Sequence, residues 1–426
     1  MRNAMITTRR AFIAGTAATA ALAAPMLARA ASGAVVVIGA GFGGATAARH
    51  LKKLDPNVEV VLVEREASIV TCPFSNAVLG GSETMPGITR SLDALKSAGI
   101  RIVRGEASGI DPQARSVRLA DGSRPAYDRL VVSPGIDLNF AGVRGYSEAA
   151  AERMPHAWKA GAQTVLLRRQ LEAMPDGGTF IVAPPANPFR CPPGPYERVS
   201  MVASYFKANK PRSKILVLDA KDAFPKQGLF QAAWQAEFPG MITWVAGKDG
   251  GKVESVDPAA MTVKCGFGTQ KGDVVNIIPP QRAGAIVHAA GLTTDSGWCP
   301  VDPMTFASTR AANIYVVGDA SIAGAMPKSG SSANAQAKAA AAAVLASLAG
   351  RPAPSPALIN ICYSLVTPDY GISVTDVYQV SKGKGITPTP NAGGLSVRAP
   401  TDLGERKLEA AYARGWYKNI SADTWG

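Results

Sequence analysis

Histidine is scarce in this chain, with only His50, His156 and His288 among 426 residues, and none of the five cysteines stands in a C-x-x-C spacing. Together these absences argue against a structural metal. Without a Cys-x-x-Cys-His run the chain does not attach a c-type haem itself. The formal charge is +13, yet no long Lys/Arg block carries it, which argues against a nucleic-acid role. Nor is there an apolar run suited to a membrane span, since the stretch from Ala14 to Leu27 is short and rich in Ala and Thr. Cys72, Cys191, Cys265, Cys299 and Cys362 are too few for a disulfide-built scaffold, and their odd number leaves at least one unpaired or modified.

The Ala14–Leu27 stretch follows Thr8-Arg9-Arg10-Ala11-Phe12-Ile13 and closes on Ala28-Arg29-Ala30. A basic front, a weakly apolar middle and a small-x-small end make residues 1–30 an expected signal peptide, and the adjacent arginines are those of the twin-arginine type. The mature chain is then expected to start near Ala31, to be exported already folded, and to work in the periplasm. Four arginines and no acid leave with the signal, so the charge falls from +13 to +9.

What the chain does have is one glycine-rich turn around which the rest can be organised. Val35 to Ile38 is an apolar β-run that breaks into Gly39-x-Gly41-x-x-Gly44 and continues into the helical Ala45 to Leu51. Glycines there let the backbone approach a pyrophosphate, while the helix start offers free N–H groups and the positive end of its dipole. Val58 to Val63 reads as the next strand and ends in Glu64, where a carboxylate can accept the ribose hydroxyls of a dinucleotide.

Further along, Tyr127 to Gly135 is an apolar strand ending in a Pro-Gly turn, and a helix is expected over Ala162 to Leu171. The pattern then restarts: Gly178 to Ala183 as strand, Glu197 to Lys207 as helix, Lys214 to Asp219 as strand, hence a second doubly wound unit. Near Val274 a third region begins. It reaches Asn313-Ile-Tyr-Val-Val-Gly318-Asp319, where a strand sets Gly-Asp at its carboxyl end ahead of an alanine-rich helix from about Ser331 to Leu348. The expected fold is α/β with two Rossmann-like doubly wound domains and a small C-terminal α+β domain. Its boundaries are 31–150 with 275–350 for the dinucleotide domain, 151–274 for the second domain, and 355–426 for a more irregular last unit.

The second strand–helix turn decides the chemistry. A pyridine-nucleotide reductase would carry another glycine fingerprint after Thr179–Ala183, but Pro184 to Pro195 supplies six prolines in twelve residues. These remove six N–H donors where a pyrophosphate would need them and block close backbone approach. In their place stands Cys191 on a stiff loop just before a helix carrying Glu197. A helix start lowers a thiol pKa, which suits redox or nucleophilic work.

At these residues the chain resembles the flavoprotein subunit of flavocytochrome c sulfide dehydrogenase. The resemblance rests on Thr71-Cys72-Pro-Phe-Ser-Asn76, Phe189-Arg-Cys191-Pro-Pro-Gly-Pro-Tyr-Glu197-Arg198, Ile278-Pro-Pro-Gln-Arg282, Gly297-Trp-Cys299-Pro-Val-Asp302, Gly318-Asp319, Met326-Pro-Lys328-Ser-Gly330 and Asn360-Ile-Cys362-Tyr-Ser364. It implies a glutathione-reductase-like fold and FAD attached through an 8α-thioether to Cys72. It further implies a redox-active disulfide between Cys191 and Cys362 with Glu197 as acid/base, Gly318-Asp319 at the ribityl and pyrophosphate region, and Lys328 with the helix after it facing the pyrimidine side of the flavin. The implied activity is sulfide oxidation, with electrons passed to a c-type cytochrome subunit. Sulfide:quinone oxidoreductase is the alternative, and would want a membrane-facing C-terminus that Asp402–Asn419 supplies only through Trp416 and Tyr417. A non-catalytic flavoprotein partner of a sulfur-oxidation complex is another. Cys299 has no chemical role in this reading, and Cys265 is expected to be a packed or surface thiol.

Overall fold

The computed structural model describes residues 33–397 and 403–426, so the expected signal peptide lies outside the described residues. The chain opens with β1 (Ala34–Ile38), α1 (Phe42–Leu54) and β2 (Glu59–Glu64), followed by α2 (Ser75–Gly80), β3 (Arg101–Arg104) and β4 (Arg129–Val132). A second run holds α3 (Ala162–Ala173), β5 (Thr179–Ala183), α4 (Gly194–Asn209), β6 (Lys214–Leu218), α5 (Gln227–Glu237), β7 (Ile242–Val245) and β8 (Val274–Ile277). It then returns through β9 (Ile314–Val316) and α6 (Gly330–Leu348). The last elements are β10 (Leu358–Thr367), β11 (Tyr370–Ser381), β12 (Gly385–Leu395) and α7 (Gly404–Trp425).

The first sheet has the order β9-β4-β1-β2-β3, with every pair parallel. Val36 lies opposite Val61 on one side and Leu130 on the other, and all three are buried. Strands covered on both faces read as unbroken apolar runs, which is why Val35–Ile38 and Val60–Val63 show no alternation. Strand order reverses beside β1, so the carboxyl end of β1 is the crevice where a ligand is expected to sit.

The second sheet has the order β7-β6-β5-β8, again all parallel. Here the expected boundary between residues 274 and 275 needs correction. Val274–Ile277 pairs with Phe180–Ala183 along its whole length and is buried throughout, so it completes the second sheet instead of opening the return to the first. A four-residue apolar strand gives no sequence signal for which of two sheets it joins.

The last unit is a three-stranded antiparallel sheet, β10-β11-β12, covered by α7. The last unit, expected to be more irregular, is built of regular strands, and Gly385–Leu395 is one of them in spite of Pro388 and Pro390. It is tolerated because β12 is an edge, where a missing N–H costs no second ladder. Among the described residues no helix is long and apolar enough to cross a membrane.

Candidate active site

A cavity of about 1020 Å³ runs from the β1 turn to the last unit, and it collects residues from all three units. Gly39, Gly41, Glu64, Cys72, Gly318 and Asp319 line it, as do Cys191, Glu197 and Cys362. Gly44 does not. It lies beneath the turn, where a Cβ would sit 1.8 Å from the Gly39 carbonyl oxygen. Gly39 has φ +90° and likewise has no room for a side chain, since a Cβ would meet Ser133 O at 2.4 Å. A Cβ on Gly41 would meet nothing within 4 Å, so this glycine keeps space free for a ligand.

The polar groups along this half of the cavity fit FAD. The first turn of α1 carries no side-chain cap, leaving its N–H groups for a pyrophosphate. Glu64 accepts from Ala40 N at 2.7 Å and Glu66 N at 2.9 Å, which fixes the carboxylate and leaves further lone pairs for ribose hydroxyls. Most telling is Asp319, whose Oδ1 is buried without a hydrogen-bond partner. A buried acceptor left unpaired is costly, and a ligand hydroxyl would satisfy it. Burial pushes the Asp319 carboxyl up, against the opposing pull of Arg190 and Lys328.

Cys191 sits in the left-handed region at φ +55°. Its N–H donates to Lys328 O at 2.7 Å, and its carbonyl accepts from Gly194 N at 2.8 Å. A Cβ on Gly194 would come within 2.9 Å of the Cys191 sulfur, so the first residue of α4 is a glycine that makes room for that sulfur. Cys362 enters from β10, remote in sequence. The two cysteines are free thiols in this structure, not a disulfide. The expectation that the helix start lowers the Cys191 pKa is corrected: burial raises the thiol well above its ordinary value, and the neighbouring Cys362, Glu197 and Cys72 add to the rise. Burial also raises Cys362, with Lys226 pulling the other way.

Glu197 does not cap its own helix. Its two oxygens accept from Asn76 Nδ2 at 2.8 Å and Leu365 N at 2.9 Å, joining α4 to α2 and β10. Burial raises its carboxyl, as a proton-transfer group near neutral pH requires. Lys328, expected to face the pyrimidine side of the flavin, spends its side chain close to Asp319. Its ammonium is absent from the cavity lining, donates to Asp319 O at 2.7 Å and Ser321 O at 2.9 Å, and lies 3.8 Å from the centre of the Trp298 ring. Burial lowers it to about 8. The start of α6, at Ser329 and Gly330, does reach the cavity.

Three cations had no assigned role in the sequence. The Arg190 guanidinium lies 4.0 Å from Asp319 Oδ2 and donates to Trp158 O, whose other neighbour is Cys72 Sγ at 3.5 Å. Arg198 is fully buried under the site and donates to Asn76 Oδ1, Asn276 Oδ1 and the carbonyls of His156 and Ala157. Lys226 touches Cys362. Arg190 had a signal, being the lone cation in the proline loop. The other two had none, because their partners come from distant elements.

In the second domain, Asp219 stands at the end of β6, where a ribose-binding acid would be needed. Its carboxylate is taken up by Lys221 at 2.6 Å, Tyr196 OH at 2.5 Å and Trp244 Nε1 at 3.0 Å. With the proline loop above it, this half is built around its own side chains. Cys299 is buried, and burial pushes its thiol up to about 12. Cys265 is packed in a hairpin, its thiol donating to Gly268 O.

A dinucleotide cradle opening onto paired cysteines, carried on two doubly wound domains, defines a flavoprotein of the disulfide-oxidoreductase class. Residues 33–168 match the pyridine nucleotide-disulphide oxidoreductase family. Residues 164–279 match the central domain of the sulfide dehydrogenase (flavocytochrome c) flavoprotein chain, and residues 354–425 match the flavin-binding domain of flavocytochrome c sulphide dehydrogenase. The chain belongs to this family of flavocytochrome c sulfide dehydrogenase flavoprotein chains. It is 64% identical over 44 residues to that chain from Chlorobaculum thiosulfatiphilum, covering 10% of this chain and 92% of that sequence. It is also 20% identical over 307 residues to the mitochondrial sulfide:quinone oxidoreductase of Mus musculus, covering 67% of this chain and 65% of that protein. In fold it is similar to the sulfide:quinone oxidoreductase of Aquifex aeolicus, with a TM-score of 0.71 at 17% identity over 92% of both chains.

Proposed function

We propose that this flavoprotein oxidises sulfide at Cys191 and Cys362 and passes the electrons to a c-type cytochrome held on a separate subunit, in the periplasm after twin-arginine export. The observation that carries this reading is that both cysteines and Glu197 line the same cavity as the glycine turn and Asp319. With the cysteines oxidised to a disulfide, hydrosulfide attacks one sulfur. The S–S bond breaks, its electron pair goes to the other sulfur as a thiolate, and the attacked cysteine keeps the added sulfur as a persulfide. Glu197, buried and raised, takes or returns the proton that hydrogen sulfide gives up. The Gly39–Gly44 turn, Glu64 and Asp319 would hold FAD, and Cys72 would bear it covalently. FAD supplies there a two-electron acceptor that can release electrons singly to a haem.

A quinone as acceptor is the second reading, favoured by the likeness to sulfide:quinone oxidoreductases. Against it, Tyr417 is buried, bonded to Thr71 Oγ1 at 2.6 Å and stacked on Phe74, while Trp416 lines the cavity, so neither is an outward membrane anchor. The test is sulfide-dependent reduction of cytochrome c against that of a quinone analogue by purified protein. Cytochrome reduction that is lost in Cys191→Ser and Cys362→Ser is expected, and a variant that oxidises sulfide at the normal rate would overturn the mechanism. Acid-precipitated protein should stay yellow, and Cys72→Ser should release its flavin to the supernatant.

A further inference from the structure

Lys226 is the residue at the site that neither the resemblance nor the proposed reaction uses. It occupies the N-cap of α5 with φ +61°. Each of these facts is unfavourable for a lysine. The left-handed region favours Gly or Asn, N-caps favour Ser, Thr, Asp or Asn, and the positive end of a helix dipole disfavours a cation. Local costs held in place at a site point to a use for the side chain. Cys191 and Phe74, two residues after Cys72, share the same unusual backbone region.

The side chain is buried, and its ammonium reaches across to β10. It donates to Ser364 Oγ at 2.8 Å and Cys362 O at 3.0 Å, and lies 3.8 Å from Cys362 Sγ. Both hydrogen-bond acceptors are neutral. A buried ammonium calls for a counter-charge, and Lys226 makes no ion pair with a carboxylate among the described residues. The Cys362 sulfur, at 3.8 Å, is therefore the nearest group able to carry one, and the buried Glu197 carboxylate acts on the ammonium from farther off.

From this contact we infer that Lys226 is a positioning residue that serves as counter-ion to an anionic sulfur at Cys362, so that the reduced cysteine pair holds its negative charge on Cys362 rather than on Cys191. The inference rests on the reading of the two cysteines as a redox pair. Four groups face the Cys362 sulfur: Lys226 from the start of α5, Glu197 from α4, Asp376 from β11 and Cys191 from the proline loop. Lys226 favours the thiolate, whereas Glu197 and Asp376 oppose it. Cys191 has the Arg190 and Arg198 guanidiniums as opposing cations, with Glu197 and Cys72 against it, but both guanidiniums spend their hydrogen bonds elsewhere, whereas the Lys226 ammonium contacts the Cys362 sulfur directly. A single charge shared between two sulfurs thus settles where the ammonium is. Whether the species on Cys362 is a thiolate or a persulfide anion, the same contact stabilises it.

The test is the pH dependence of iodoacetamide alkylation in the reduced holoenzyme, read separately for the Cys362 and Cys191 peptides by mass spectrometry. In the unaltered protein Cys362 should alkylate with the lower midpoint. Lys226→Met should raise that midpoint by about one to two pH units, a loss of about tenfold to a hundredfold in alkylation rate at neutral pH. Lys226→Gln removes the charge while keeping a donor for Ser364 and carries the test if the Met variant does not fold, and Lys226→Arg should restore most of the reactivity. A Cys362 profile unmoved by loss of the charge, or a shift falling on Cys191 instead, overturns the inference. Neither result depends on sulfide, so failure here is distinct from failure to reduce cytochrome c.

Discussion

Acidification should destabilise this protein through one histidine. His156 is 7% exposed, and its Nδ1 accepts the N–H of Trp158 at 2.9 Å. Burial lowers it from 6.5 to about 4, with Arg198, Lys159 and Arg190 adding repulsion. The folded-state value lies below the unfolded one, so the contribution to stability is full above pH 6.5. It declines as the pH falls towards about 4, where the imidazole must take a proton. A depression of this size is worth about 3 kcal/mol, since each pH unit is about 1.4 kcal/mol. For a chain of this length that is about 4 °C in Tm. The assay is the Tm of the holoprotein at pH 7 and pH 4, compared with His156→Asn, whose side-chain oxygen can still accept from Trp158 N but cannot be protonated. The unaltered protein should lose about 4 °C more than the variant. Because the chain has three histidines, each 15N-labelled imidazole can be assigned by substitution and titrated directly. Equal losses in the two proteins, or a His156 midpoint near 6.5, would refute the reasoning. Protonation also frees Trp158 N, whose own carbonyl contacts Arg190 and Cys72, so flavin absorbance should change over the same acid range.

Gly44→Ala should abolish flavin binding by collapsing the turn, whereas Gly41→Ala should leave a folded protein with reduced flavin content, read as the ratio of flavin to protein absorbance. Gly194→Ala should displace the Cys191 sulfur, lowering the rate of sulfide-dependent reduction with little change in flavin content. Glu197→Gln sets an amide N–H against one of the donors Asn76 Nδ2 and Leu365 N, so it should cost about 1–3 kcal/mol in denaturant unfolding. With the negative charge gone, both cysteine midpoints should fall.

The doubly wound halves were legible because parallel strands buried on both faces need unbroken apolar runs, and Val35–Ile38 and Thr179–Ala183 have them. The glycine turn was legible for a steric reason, since Gly39 and Gly44 stand where no other residue fits. That Val274–Ile277 joins the second sheet was not legible, because strand pairing is set by packing between elements and not by the strand itself. At the site, the neighbourhood of Cys191 and Cys362 came only from a family resemblance, as spacing alone ranks no pair of cysteines. Lys328 marks a sharper limit. Its backbone carbonyl does hold Cys191, but its side chain points to Trp298, and a motif records the residue without the direction of its side chain. Lys226 and Arg198 were invisible because a buried cation is explained by what surrounds it.

The glycine turn has one more partner, at the far end of the chain. Trp425 Nε1 donates to Ala40 O at 2.9 Å, and its ring meets Phe42 at 4.7 Å, closing a span of 385 residues. A contact of such sequence separation forms late and is entropically expensive to close. The pyrophosphate cradle is therefore complete only after the C-terminal unit has docked, and by linkage the cofactor stabilises that docking as much as the docking shapes its site. Flavin incorporation thus reports on assembly of the whole chain, so a substitution at Trp425 that breaks this docking should yield a paler protein before it yields an unfolded one.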